Sequence, residues 1–235
     1  MAHGITESIR RAAVPIHPAG RPFIALFAVA TLVLFLLWPP LGCLGLLLTG
    51  WCALFFRDPA RVTPLSAGLA VSPADGRVAQ VDYAVPPAEL GLGDIALPRV
   101  SVFMSVFDVH VNRAPLGGRV ALLVHKPGRF LNAEDPAAST ENERMSLRLE
   151  TDAGPVGVVQ IAGLIARRIV AFVGVGAGLA TGERIGLIRF GSRVDVYFPA
   201  GARMLVAEGQ RAIAGETPIA DLSGARPSLG ATRIG

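Results

Sequence analysis

From Pro22 to Phe56 the chain carries no charged residue, and Trp38-Pro39-Pro40 divides this block into two apolar runs, Phe23–Trp38 and Leu41–Phe56. Each run has about 16 residues, which at about 1.5 Å per residue gives roughly 24 Å of helix, just short of the usual spanning length. A helix with no polar face has nothing to show to water, so the block predicts a tilted helical hairpin or a deeply inserted re-entrant pair. A pair of buried core helices is the alternative reading.

Beyond the Arg57–Pro64 linker the period changes. From Gly68 to Pro199 the chain reads mainly as short strands separated by Gly, Pro and Asp turns: Val78–Tyr83, Val100–Phe107, Arg119–His125, Met145–Thr151, Gly157–Ile165, Arg184–Phe190 and Arg193–Phe198. Several are near-continuous apolar runs, which implies burial on both faces of a sheet. The predicted fold is mainly β: a barrel-sandwich hybrid-like β domain behind an N-terminal membrane-associated α-helical hairpin. Its hairpin around Gly182-Glu183-Arg184-Ile185-Gly186 and Val194-Asp195-Val196 resembles those of biotinyl and lipoyl hybrid barrels, a likeness of fold alone. Pro87–Leu92 and Asp135–Asn142 allow single helical turns, and Ile161–Val173 allows a strand continuing as helix. The expected division is 1–21, 22–56, 57–67, 68–221 and a small, Gly-rich, mobile tail over 222–235.

The hydrophobic fraction of 51% is concentrated in the hairpin. Arg10, Arg11 and Arg21 precede it, Arg57 and Arg61 follow it, and the Pro-Pro turn is uncharged. The positive-inside rule then places both ends, and the bulk of the protein, on the cytoplasmic face of the cell membrane. The only cysteines, Cys43 and Cys52, lie inside the apolar block, and His3, His17, His110 and His125 show no paired ligand spacing. No disulfide framework and no metal site is expected. The net charge is +4 and Lys126 is the only lysine, so the cations are guanidinium groups, which fork onto phosphate. Beside a membrane segment that favours an anionic phospholipid over nucleic acid, for which there is no recognisable motif. The glycines from Gly174 to Gly178 lack the spacing of a dinucleotide loop and precede a strand.

The chemistry-bearing segments are Phe56-Arg57-Asp58-Pro59, Ser72-Pro73-Ala74-Asp75-Gly76, Phe107-Asp108-Val109-His110-Val111-Asn112-Arg113-Ala114-Pro115, Asn142-Glu143-Arg144, Gln160-Ile161-Ala162-Gly163 and Phe190-Gly191-Ser192-Arg193. Singly they are ordinary: Gly-Ser is common turn chemistry, Pro-Ala-Asp-Gly is a strong turn, and a histidine is often satisfied in a core. In this order, over about Pro22 to Pro199, they resemble the phosphatidylserine decarboxylase family in its short form.

That resemblance implies a self-processing proenzyme. Ser192 Oγ would attack the carbonyl carbon of Gly191, and elimination and hydrolysis would leave a covalent pyruvoyl group, derived from Ser192, as cofactor. The products would be a large chain of residues 1–191 and a small chain of residues 192–235. The pyruvoyl carbonyl would form a Schiff base with phosphatidylserine, releasing CO2 and phosphatidylethanolamine. His110 is the candidate base and proton donor, with Asp75 or Asp108 to orient its ring, and Arg144, Arg167, Arg168 and Gln160 are candidates for contact with substrate. A pyridoxal phosphate route needs a lysine, and the single Lys126 sits in the turn-like His125-Lys126-Pro127-Gly128.

Two departures stand out. Longer members of the family carry a second histidine three residues after the first, where this chain has Arg113, and many relatives have Thr where this chain has Arg193. The competing reading is a membrane-anchored hybrid-barrel carrier or adaptor, although such carriers modify a lysine at the hairpin tip and this tip has none. The sequence leaves homo-oligomer formation open.

Overall fold

Trp38 alone separates two helices, α1 (Arg21–Leu37) and α2 (Pro39–Phe55). Its extended backbone (φ −164°, ψ 117°) breaks the helical path, while its N–H still bonds the Leu34 carbonyl. Pro39 and Pro40 open α2, where first-turn N–H groups have no intrahelical partner to lose. This computed structural model describes residues 14–135, 137–164, 168–189, 191–224 and 232–234. It divides into two units at Pro59/Ala60, of which the helix pair is the first.

Small residues bring α1 and α2 together. A Cβ on Gly42 would lie 2.2 Å from the Phe35 ring, and one on Gly45 would lie 2.7 Å from the Thr31 hydroxyl. The Thr31 and Thr49 hydroxyls meet at 3.0 Å. Close approach through glycine, joined by a hydroxyl hydrogen bond, is a packing mode of helices in lipid. Leu26, Leu32, Leu36, Leu37 and Leu47 face outward. Pro18–Leu37 spans 20 residues at a mean hydropathy of 2.1 and is long and apolar enough to cross a membrane; Pro39–Phe55 is shorter.

The second unit is built of strands: β1 (Val62–Pro64), β2 (Leu69–Val71), β3 (Gly76–Ala84), β4 (Leu97–Met104), β5 (Val111–Arg113) and β6 (Gly118–Lys126). There follow β7 (Arg144–Thr151), β8 (Gly154–Ala162), β9 (Ile169–Ala171), β10 (Gly178–Leu179) and β11 (Arg184–Ile188). Then come β12 (Ser192–Tyr197), β13 (Arg203–Met204), β14 (Arg211–Ala212), β15 (Pro218–Asp221) and β16 (Thr232–Ile234). An antiparallel eight-stranded sheet has the order β10-β6-β7-β8-β12-β4-β3-β14, and smaller sheets pair β5-β11-β9, β13-β15-β2 and β1-β16. The fold is mainly β behind an apolar helix pair, in agreement with the sequence pattern.

Strand β12 occupies the middle of the large sheet, with Ser192 opposite Met104 of β4 and Ala162 of β8. Every residue of β12 is buried. Val194 and Val196 enter the main core with Val102, Val158 and Met104. On the opposite face, Tyr197 joins Val159, Ile161, Leu90 and Ala138 in a second cluster. That face is covered by a 3-10 turn, Ala88–Leu90, and by a short helix α3 (Ala138–Glu141). Both were allowed as single helical turns by the sequence.

Between Ile161 and Val173 the described residues form no helix: β8 ends at Ala162 and β9 begins at Ile169, with 165–167 outside the described residues. In the C-terminal segment, expected from its composition to be mobile, Thr232–Ile234 pairs antiparallel with Val62–Pro64.

Candidate active site

Gly191 sits at φ +60°, a left-handed conformation that an L side chain adopts at a cost, and it leads directly into β12. The approach to its carbonyl is tight. A Cβ on Gly163 would lie 2.1 Å from the Gly191 oxygen, so the absence of a side chain at 163 is what makes room for that carbonyl. Phe190, the first residue of the sequence motif, lies outside the described residues, as does Arg167.

Ser192 is fully buried on the core-facing side of β12. Its hydroxyl is 4.0 Å from the Met104 sulfur. The same sulfur receives the Asn112 amide at 3.4 Å, and Asn112 Oδ1 accepts from Gln160 Nε2 at 2.7 Å. Gln160 thus belongs to a buried polar chain around Ser192, on the same face two residues from Ala162. Asn112 escaped the sequence reading as a site residue. Its signal was an amide next to Val111 on a strand whose neighbours Val109 and Val111 are apolar, and such an amide must find partners when buried.

His110 is fully buried. Its Nδ1 lies 2.9 Å from the backbone carbonyl of Asp108, which can only accept, so Nδ1 carries the proton. Its Nε2 accepts the Gly191 N–H at 3.3 Å. This neutral tautomer turns the basic ring nitrogen toward the Gly191-Ser192 junction.

The two candidate carboxylates have separate tasks. Asp108 accepts the Ser105 N–H and hydroxyl, both at 2.8 Å, and pairs with Arg211. It closes the turn whose carbonyl holds His110, while the ring itself bonds the main chain of Asp108. Asp75 receives Arg61 Nη2 on its two oxygens at 2.9 and 2.7 Å and the Ala214 N–H at 2.8 Å. It fastens residues 61 and 214 to the start of β3. That start lies close against β4: a Cβ on Gly76 would be 2.0 Å from the Phe103 carbonyl oxygen, one residue before Met104. The sequence held no signal for Arg61 as the partner of Asp75. Arg113, in the place of the second histidine, is buried and donates to the Gly182 carbonyl at 2.8 Å.

Arg144 is not brought to Ser192. Register places it opposite Ile161, on the other face of the sheet, where Nε bonds Glu89 at 2.6 Å and Nη1 bonds the Thr140 carbonyl at 2.8 Å. Burial alone would raise the Glu89 pKa, but the hydrogen bonds and charge of Arg144, a main-chain N–H and the Ser146 hydroxyl hold it below the ordinary value.

The same face carries Arg193 and Asp195, both buried. Arg193 Nε lies 2.9 Å from Asp195 Oδ1, and Arg99 Nη1 lies 3.5 Å from Asp195 Oδ2. Burial and the charge of Asp195 push the Tyr197 pKa up to about 12, against the opposing pull of Arg99. A cavity of about 390 Å³ lined by Leu92, Arg148, Pro155 and Pro199 lies beyond the other end of β12 and contains none of the candidate residues.

No group of three or more His, Cys, Asp or Glu that could hold a metal occurs among the described residues. Residue 192 faces the core beside an amide pair and a thioether, one residue from the Gly191 N–H that His110 accepts. Lys126, the only lysine, stands on β6 with its ammonium 3.9 Å from Glu89.

Comparison with known sequences places this chain, with its half-buried Gly191 and buried Ser192, among carboxy-lyases made as proenzymes. It belongs to the phosphatidylserine decarboxylase family, whose sequence profile matches residues 48–220. A protein of Beijerinckia indica subsp. indica called phosphatidylserine decarboxylase proenzyme is 60% identical over 223 residues, covering 95% of this chain and 96% of that one. Membership of this family sets aside the carrier or adaptor reading.

Proposed function

We propose that the chain decarboxylates phosphatidylserine to phosphatidylethanolamine, after cutting itself between Gly191 and Ser192. The observation that carries this reading is the Gly191-Ser192 junction itself: a left-handed glycine whose N–H bonds His110 Nε2, followed by a buried serine at the head of a central strand.

Ser192 Oγ attacks the Gly191 carbonyl carbon, and the scissile C–N bond gives way to a C–O ester. Loss of the proton on Cα of residue 192 expels the Gly191 carboxylate and leaves dehydroalanine, whose hydrolysis releases ammonia. Both proton removals need a base, and His110 Nε2 is the basic nitrogen at the turn. Gly163 gives the carbonyl its room. The pyruvoyl group so formed supplies a carbonyl that condenses with the serine amine of the lipid and accepts the electrons left by CO2.

Towards the substrate, the chain's residues have distinct tasks. His110 returns a proton to the α-carbon, directly or through water. Gln160 and Asn112 hold a fixed pair of amide dipoles beside position 192. The buried strands around them keep water from the reacting atoms. Arg168, exposed beside β9, offers a guanidinium to the anionic lipid. The apolar helix pair, joined through the Arg57–Pro64 segment, holds the enzyme at the cytoplasmic face of the cell membrane, where a lipid that scarcely leaves the bilayer is met at high effective concentration.

Intact-mass measurement tests this reading. The wild-type protein should resolve into a chain of residues 1–191 and an N-terminally blocked chain of 44 residues, 192–235. A single 235-residue chain with an ordinary serine removes the proposal. Ser192→Ala should stay whole; fragments of the same size from that variant would indicate an outside protease.

A further inference from the structure

Scission would create a new chain end in the middle of an eight-stranded sheet, at the first residue of β12. Chain ends fray unless they are tied down, and a one-residue slip would turn residue 192 to the wrong face. The residue next to the cut is Arg193, a buried cation on the face opposite Ser192.

Its guanidinium is held by groups that the cut leaves on the other chain. Nη1 donates to the Ala133 carbonyl at 3.0 Å and reaches the Asp135 carbonyl at 3.5 Å, and Nη2 donates to the Ser139 hydroxyl of α3. Asp195, two residues further along the same face, pairs with Arg193 on both oxygens, at 2.9 and 3.2 Å. It accepts the Ser139 hydroxyl at 3.3 Å and faces Arg99 at 3.5 Å. Arg99 is anchored in turn by two bonds to Asp82, at 2.9 and 2.7 Å, and one to Gln80 at 3.0 Å. Residues 193 and 195 would belong to the small chain, and 82, 99, 133, 135 and 139 to the large one.

We propose that Arg193 is a positioning residue that grips the large chain after scission, so that the group at position 192 cannot leave its place beside His110. The inference rests on the self-cleavage reading. A guanidinium suits the task because its planar fork meets several acceptors at once, where a hydroxyl at this position could donate to only one. The hand-hold lies on the opposite face, so it restrains the strand without occupying the reaction space. Anchored Arg193 fixes its own Cα, and residue 192 then has one peptide unit of freedom instead of several.

The test compares Arg193→Met and Arg193→Lys with wild type, and adds Arg193→Met/Asp195→Asn, which removes the buried carboxylate charge that could keep the single variant from folding. Wild type must first show the cut at 191/192 by mass; an uncut wild type overturns the function reading and this inference with it. In cut protein, release of CO2 from phosphatidylserine in detergent micelles should fall on the order of tenfold to a hundredfold in kcat for the methionine variants, with KM little changed. Arg193→Lys should recover part of that loss. Amide exchange at Val194 should rise in cut Arg193→Met well beyond its rise in the uncut Ser192→Ala/Arg193→Met chain. Equal exchange in cut and uncut chains would mean that Arg193 supports the fold alone, and wild-type kcat in the cut variants would mean that it positions nothing. Either result overturns the inference.

Discussion

His110 stands between Asp108 and Gly191, giving its Nδ1 proton to the main-chain carbonyl of the first at 2.9 Å and taking the N–H of the second at 3.3 Å. The ring therefore has one basic nitrogen, and it lies at the turn. His110→Ala should slow appearance of the 44-residue chain by about 10²–10⁴-fold, the range for loss of a general base. A mass time course showing wild-type processing, together with wild-type turnover, would remove His110 from both steps.

Gly163→Ala probes the scissile carbonyl without touching any ionisable group. The added Cβ would meet the Gly191 oxygen at 2.1 Å, so carbonyl or strand must shift. A displacement of this kind costs on the order of a hundredfold where geometry governs the rate, and overpacking costs about 1–3 kcal/mol in stability. Gly174→Ala, with open space around it, is the matched control and should process normally. Equal half-times for the two variants would show that the carbonyl is not confined by residue 163.

Asp75→Asn should be destabilising through its pair with Arg61, whose side chains are only 12% and 11% exposed. Breaking one partner of a largely buried pair costs about 3–5 kcal/mol, whereas replacing both by neutral groups costs less. Chemical denaturation of the Ser192→Ala precursor should thus rank Arg61→Met and Asp75→Asn below Arg61→Met/Asp75→Asn. A double variant as weak as the sum of the singles would mean that the two side chains act independently.

Glu89 gives a dependence on acidity. Its carboxyl pKa is lowered on folding from an ordinary 4.5, chiefly by Arg144 against the opposing effect of burial. A depressed carboxylate pKa contributes stability that is fully present above the unfolded value and is lost as the pH falls through the folded one. Stability should therefore begin to drop below about pH 4.5, and Glu89→Gln should be weaker at neutral pH and show a shallower acid decline. Parallel curves for wild type and Glu89→Gln in urea titrations across that range would exclude this contribution.

Local signals carried most of the fold. Seven strands stood out because residues such as Val100, Val102, Val194 and Val196 are buried and β-branched, and the helix pair stood out because no charge interrupts it. What stayed hidden was long-range. Arg61 finds Asp75 across 14 residues and Asp108 finds Arg211 across 103, with nothing local to mark either pair. Two-residue strands such as β13 and β14 carry too few positions to show a period, and β16 is recognisable only through its partner β1. At the site, Gly191, Ser192 and His110 were legible as motif residues. Gly163 as the residue that makes room for a carbonyl, and Arg193 as a buried cation, depend on what lies across the sheet.

The segment from Ser192 onward supplies β12 to the large sheet, β14 to its edge, β15 to β2 with β13 outside it, and β16 to β1. Opening the bond before Ser192 would leave 44 residues woven through the larger fragment, with β12, β14, β15 and β16 still hydrogen-bonded to it. Such a molecule has passed a ratchet. It was assembled as one polymer, with the local concentration of its parts set by the chain, but recovery from full denaturation would need two separate polymers to find each other at their bulk concentration. Heat inactivation of the cut enzyme should therefore be irreversible at dilutions where the uncut Ser192→Ala chain still recovers, and the lifetime of the activity becomes a matter of unfolding rate rather than of equilibrium.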